Sequence, residues 1–135
     1  MPSSSLLPVL LTVNALGVLF TAVALFTNGA AVLGDATGLD ITPLMDLALL
    51  KPHALTLFAA AAYLLVVAAI GRTPVQRGVL GAAAMSHVLS GCIDLVGART
   101  GVIERSMAAS GVVVHVVLAI ASLLVALFAD DVADA

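Results

Sequence analysis

The chain has 135 residues, of which 62% are hydrophobic and 10% charged, and its formal net charge is −3. Soluble domains are nearer half apolar and a quarter charged, and a chain this short has too little interior to bury such an excess. A water-soluble globule is excluded, the bilayer is the solvent, and five Lys and Arg residues in all leave no basic surface for nucleic acid or anionic lipid.

The first apolar stretch, about residues 6–27, is long enough to span a membrane and stops at "NG" (28–29). Only "MPSSS" precedes it, with no positive charge, so it reads as a retained helix and not a cleaved signal. The connection that follows, about residues 28–52, is the longest. Within it "TPLMDLALLK" predicts a short amphipathic helix at the interface, with Thr42 as N-cap, Pro43 in the first turn and Asp46 at the positive helix end. The second span is about 53–71, the third about 78–98 and the fourth about 107–129, before an acidic "DDVADA" tail. The turns "RTPVQR" and "RTGVIER" are short, which makes consecutive helices antiparallel. The fold expected is all-α: one integral membrane domain, residues 1–135, forming a transmembrane four-helix up-down bundle with a short interfacial helix in the first connection. Arg72 and Arg77 on one side face Lys51, Arg99 and Arg105 on the other. The reading adopted places both termini in the cytoplasm of a bacterial or archaeal membrane.

Each span carries a polar seam. Seven residues are close to two helical turns, so positions seven apart share a face. Asn14, Thr21 and Asn28 repeat in the first span, Thr56 and Tyr63 in the second, His87 and Asp94 in the third, His115 and Ser122 in the fourth. Lipid rejects such seams, so they are expected to face the bundle interior. At about 1.5 Å per residue, Tyr63, His87 and His115 fall roughly 13–17 Å deep, near the centre of a ~30 Å core. Asn14 is slightly deeper, Asp94 and Thr56 are shallower, and His53 is at the mouth. A polar pocket that reaches the midplane is the expected result.

Within it, His87 and His115 are the acid–base candidates and Asp94 the group that assists them. Asn14, Tyr63, Thr56 and His53 would bind substrate. The bland alternatives stay open: the histidines as interhelical hydrogen-bond partners, and Asp94 meeting water or pairing with Lys51, Arg99 or Arg105. Bis-imidazole haem b ligation by His87 and His115, with Gly91 and Gly111 each one turn away to make room, is the cofactor alternative; otherwise no cofactor is expected. The single Cys92 excludes an internal disulfide, and no HExxH, HxxxH or Cys/His cluster suggests a metal.

The layout, through "AVLGDATGLD", "KPHALTLFAAAAYLL" and "SGCIDLVGARTG", resembles the small DoxX-like four-helix membrane proteins. That resemblance implies a left-handed four-helix bundle and assigns no catalytic residue. The small multidrug transporters have similar size, but their first-helix glutamate has no counterpart here. The expected function is binding of a lipophilic small molecule in this pocket, by a binding protein or by an acid–base enzyme of isomerase, cyclase or epoxide-opening type. The alternatives are a non-catalytic subunit of a membrane complex, alone or as a homo-oligomer, and a haem-bearing electron carrier.

Overall fold

The computed structural model describes residues 5–129, so the acidic tail lies outside the described residues. Among these there is no strand, and four long helices follow one another: α1 (Leu6–Thr37), α2 (Pro43–Ile70), α3 (Thr73–Thr100) and α4 (Arg105–Phe128). All four are long and apolar enough to cross a membrane. The protein is an all-α, four-helix integral membrane protein.

Three boundaries differ from those expected. "NG" does not end α1. Asn28 takes a non-helical φ of −136°, which kinks the helix, and the chain runs on to Gly38, whose left-handed φ of 68° ends it through an N–H to Gly34 O bond. The amphipathic segment is not separate. Thr42 does cap it, accepting from Met45 N at 3.3 Å with Pro43 in the first turn, but π-helical turns over Asp46–Leu50 join it to the second span. The expected polar turn at 72–77 shrinks to Gly71 and Arg72. Pro74 fits the first turn of α3, and Gln76 reaches back to cap the Val67 and Ala68 carbonyls, each at 3.2 Å.

The helices associate mainly as two pairs, α1 with α2 and α3 with α4. Small residues at seven-residue spacing explain the first pair. Ala15, Ala22 and Gly29 are buried on α1, and Ala54, Ala61 and Ala68 on α2. With only methyl groups or hydrogens between them, the backbones approach closely. The pairs meet at the end of the bundle that holds Leu6 and Phe128. There Leu7 and Leu11 of α1, Val67 and Ala68 of α2, Leu80 of α3 and Val125 of α4 form one apolar cluster. At the opposite end the α3–α4 connection is tied to α1 by the Glu104 N–H to Ala36 O bond, 3.2 Å.

Lys51 stands beside the α1 kink. Its ammonium donates to Phe26 O at 2.9 Å, pairs with Asp46 at 3.2 Å and lies 5.2 Å from the Phe26 ring centroid. The carbonyl sits where the α1 hydrogen-bond ladder is interrupted, so the lysine supplies a donor there.

Candidate functional site

One turn above the apolar cluster the helix faces become polar. Asn14 follows Leu11 on α1 and is 3% exposed; Ser122 precedes Val125 on α4 and is fully buried. A buried amide requires partners, because an unsatisfied one costs about 1–3 kcal/mol. Asn14 finds them all. Its Nδ2 donates to Leu10 O at 2.8 Å and to Ser122 Oγ at 3.2 Å. Its Oδ1 accepts from His87 Nε2 at 2.7 Å.

The chain of contacts continues across α3 and α4. His87 Nδ1 lies 3.0 Å from His115 Nδ1, a hydrogen-bond distance, with the ring centroids 5.3 Å apart and the planes inclined by 35°. His115 Nε2 then lies 3.8 Å from Asp94 Oδ2. That separation is too long for a direct hydrogen bond. Asp94 has its room because residue 111 is glycine: a Cβ there would collide with Asp94 Oδ2. Gly91 faces the other side of the same histidine, where a Cβ would make ordinary contact with His115 Cβ at 3.5 Å.

The polar chain thus runs Ser122, Asn14, His87, His115, Asp94. It climbs roughly 16 Å of membrane depth at about 1.5 Å per residue. Its two ends differ in burial. The Asn14–Ser122 end is enclosed, whereas the His115 and Asp94 side chains are 28% and 23% exposed. The closed end rests on the apolar cluster. The open end lies toward the α3–α4 connection and the flank of the bundle.

Four of the sequence candidates therefore meet: Asn14, His87, Asp94 and His115. Ser122 joins them as a buried hydrogen-bonding partner. Tyr63, Thr56 and His53 are placed elsewhere. All three are exposed on the outer side of α2, Tyr63 at 56%. The alanine face of α2 is the one buried, so its polar seam points outward. Thr56 satisfies itself within its own helix by donating to His53 O at 2.7 Å. Thr21 does the same to Gly17 O at 3.1 Å, so neither hydroxyl needs the bundle interior. Lys51 pairs with Asp46 and not with Asp94. Cys92 is a free, exposed thiol on α3.

The converging side chains touch one another. A shallow groove lined by Pro8, Val9, Thr12 and Val13 lies on α1, away from the histidines. This arrangement does not fit haem. Two axial nitrogens stand about 4 Å apart, twice a metal–imidazole bond of about 2.0 Å, with a flat ring between them. Here the facing nitrogens are 3.0 Å apart, and the space beside Gly111 holds the Asp94 carboxyl. Among the described residues no group of three or more His, Cys, Asp and Glu stands close enough to hold a metal ion.

What the arrangement offers is proton chemistry in an apolar setting. Two imidazoles and a carboxyl are in line, held at one end by a fixed amide and reachable at the other. No family model, curated protein or solved structure matches this chain.

Proposed function

We propose that this membrane protein performs acid–base chemistry on a lipophilic small molecule that reaches His115 and Asp94 from within the bilayer. The observation that carries the reading is the contrast between the ends of the polar chain: fully bonded and buried at Asn14, partly open at His115 and Asp94. A chain made only to fix helix register has no need of a partly open acid at one end. A proton conduit across the membrane is the less favoured reading. The chain ends at an amide, which does not pass protons on, and an apolar cluster blocks the way beyond it.

In this reading His115 and Asp94 are the catalytic residues, His87 works through His115, and Asn14 holds His87. Isomerisation is the reaction class that asks least of the site, since it needs no metal, redox partner or water. Kinship with the small DoxX-like membrane proteins is proposed alongside it, on the four-helix layout with a long first connection.

The test compares lipid extracts from cells carrying the wild-type gene, Asp94→Asn or His115→Gln. Loss of a positioned acid or base removes about 10²–10⁴-fold in rate. A lipophilic species that changes in the wild type should therefore stay unconverted in both variants. Identical extracts from all three strains, with both variants folded in detergent, overturn the reading and favour the non-catalytic subunit.

A further inference from the structure

The hydrogen bonds have a direction, and it can be followed from the buried end. Leu10 O only accepts, so Asn14 must turn its Nδ2 toward it. The second amide hydrogen is used by Ser122 Oγ. Asn14 Oδ1 is thereby left facing His87 Nε2 as a pure acceptor at 2.7 Å, and His87 must carry its proton on Nε2. A neutral His87 then has a lone pair on Nδ1. His115 Nδ1, 3.0 Å away, must supply the proton between them. His115 Nε2 is what remains, pointing at Asp94.

We propose that Asn14 and His87 are positioning residues that lock His115 with its proton on Nδ1, so that His115 Nε2 and Asp94 share one transferable proton. The proposal rests on the acid–base reading above. The proton resides on Asp94 beside a neutral His115, or on His115 Nε2 beside the carboxylate. In both forms Nδ1 of His115 keeps its proton and Nδ1 of His87 has none. An imidazolium at His87 would stand farther from the Asp94 carboxylate, the anionic group of this chain.

This arrangement fits one class of reaction. The Asp94 O–H bond breaks as its proton forms a bond to one carbon of an alkene. His115 Nε2 takes a proton from a second carbon, and the released C–H pair becomes the new double bond. His115 is then an imidazolium and Asp94 a carboxylate. Rotation of the carboxyl across the 3.8 Å gap lets the proton return from Nε2 to Oδ2. Nothing is oxidised or reduced, and no proton is exchanged with water. The substrate class is an unsaturated lipid with an allylic C–H.

The experiment is ¹⁵N NMR of histidine-labelled full-length protein in lipid bilayers, which distinguishes protonated from bare ring nitrogens. The expected spectrum has His87 protonated on Nε2 alone, His115 protonated on Nδ1, and a coupling across the hydrogen bond between the two Nδ1 atoms. Asn14→Leu should remove the acceptor that fixes His87, giving mixed protonation at both histidines and loss of that coupling. Where the leucine variant fails to fold, Asn14→Gln carries the amide one carbon farther out and should still shift both histidine signals and weaken that coupling; a spectrum unchanged in Asn14→Gln overturns the lock. A wild-type His87 protonated on Nδ1, or a His115 bare on Nδ1, overturns the lock. The locked spectrum together with unchanged lipid extracts leaves the lock standing and removes the enzymatic reading; the opposite pair of results does the reverse.

Discussion

Two glycines flank His115, and they differ in what they make room for. Gly111 makes room for the Asp94 carboxyl, whereas Gly91 only adjoins His115 Cβ at 3.5 Å. Gly111→Ala keeps every titratable group but drives the carboxyl off its place beside Nε2. Its far end can swing, so the fold should lose little, within about 0.5 kcal/mol. Conversion of the lipophilic species should fall at least roughly tenfold, as a displaced general acid does. Gly91→Ala should change neither. Equal activity in the two variants would show that the carboxyl position is irrelevant. From the sequence these glycines read as places of close helix contact or, in the haem alternative, as space for a porphyrin, because composition shows that a residue is small and not which neighbour enters the gap. The convergence of Asn14, His87, Asp94 and His115 was legible from seven-residue spacing and depth alone. The 3.0 Å contact between the imidazoles was not, since it depends on how closely α3 and α4 approach.

The spacing rule failed where two stripes competed on one helix. On α2 the polar pair Thr56 and Tyr63 and the alanines 54, 61 and 68 both repeat every seven residues. The alanines are buried, because a hydroxyl that bonds its own helix can tolerate lipid while close backbone packing cannot be had elsewhere. On α4 the stripes coincide: Ala108, His115 and Ser122 share one line, and Ala108 and Ser122 are buried. The sequence signal that separates the cases is thus the small-residue repeat, read before the polar one. It also gives a prediction for the α1–α2 pair. A Cβ at Gly29 would stand 3.1 Å from Asp46 Oδ1 and from Leu50 Cδ1, whereas one at Gly17 meets nothing within 4 Å. Gly29→Val should destabilise the protein by about 1–3 kcal/mol, as overpacking does. Gly17→Val on the same helix should stay within about 0.5 kcal/mol. Unfolding in a graded denaturing detergent measures both, and equal losses would mean that α1 and α2 do not meet along this stripe.

At the scale of the molecule, surface is what distinguishes this chain. It exposes 8224 Å², against roughly 6,500 Å² for a soluble monomer of its mass. The excess follows from the pairing: two helix pairs closed against each other at one end leave most of each helix facing outward. Large apolar residues such as Phe20, Ile70, Leu89 and Ile93 are over 60% exposed, which is stable only with hydrocarbon around them. On the acid–base reading proposed above, the same openness gives His115 and Asp94 their edge on the bilayer. Cys92 tests the lipid cover of α3. It is the single cysteine, exposed on α3 between His87 and Asp94, at a depth of about 12 Å from the end of the helix at 1.5 Å per residue. A spin label there should collide freely with oxygen, which concentrates in the bilayer, and scarcely with a water-soluble nickel chelate. A second protein surface over this flank would shield the label from both. High collision with the chelate would instead place α3 against water and contradict the membrane reading of this face. Oxygen access alone is the result that sets this face of α3 in hydrocarbon, as the exposure of Leu89 and Ile93 beside the label requires.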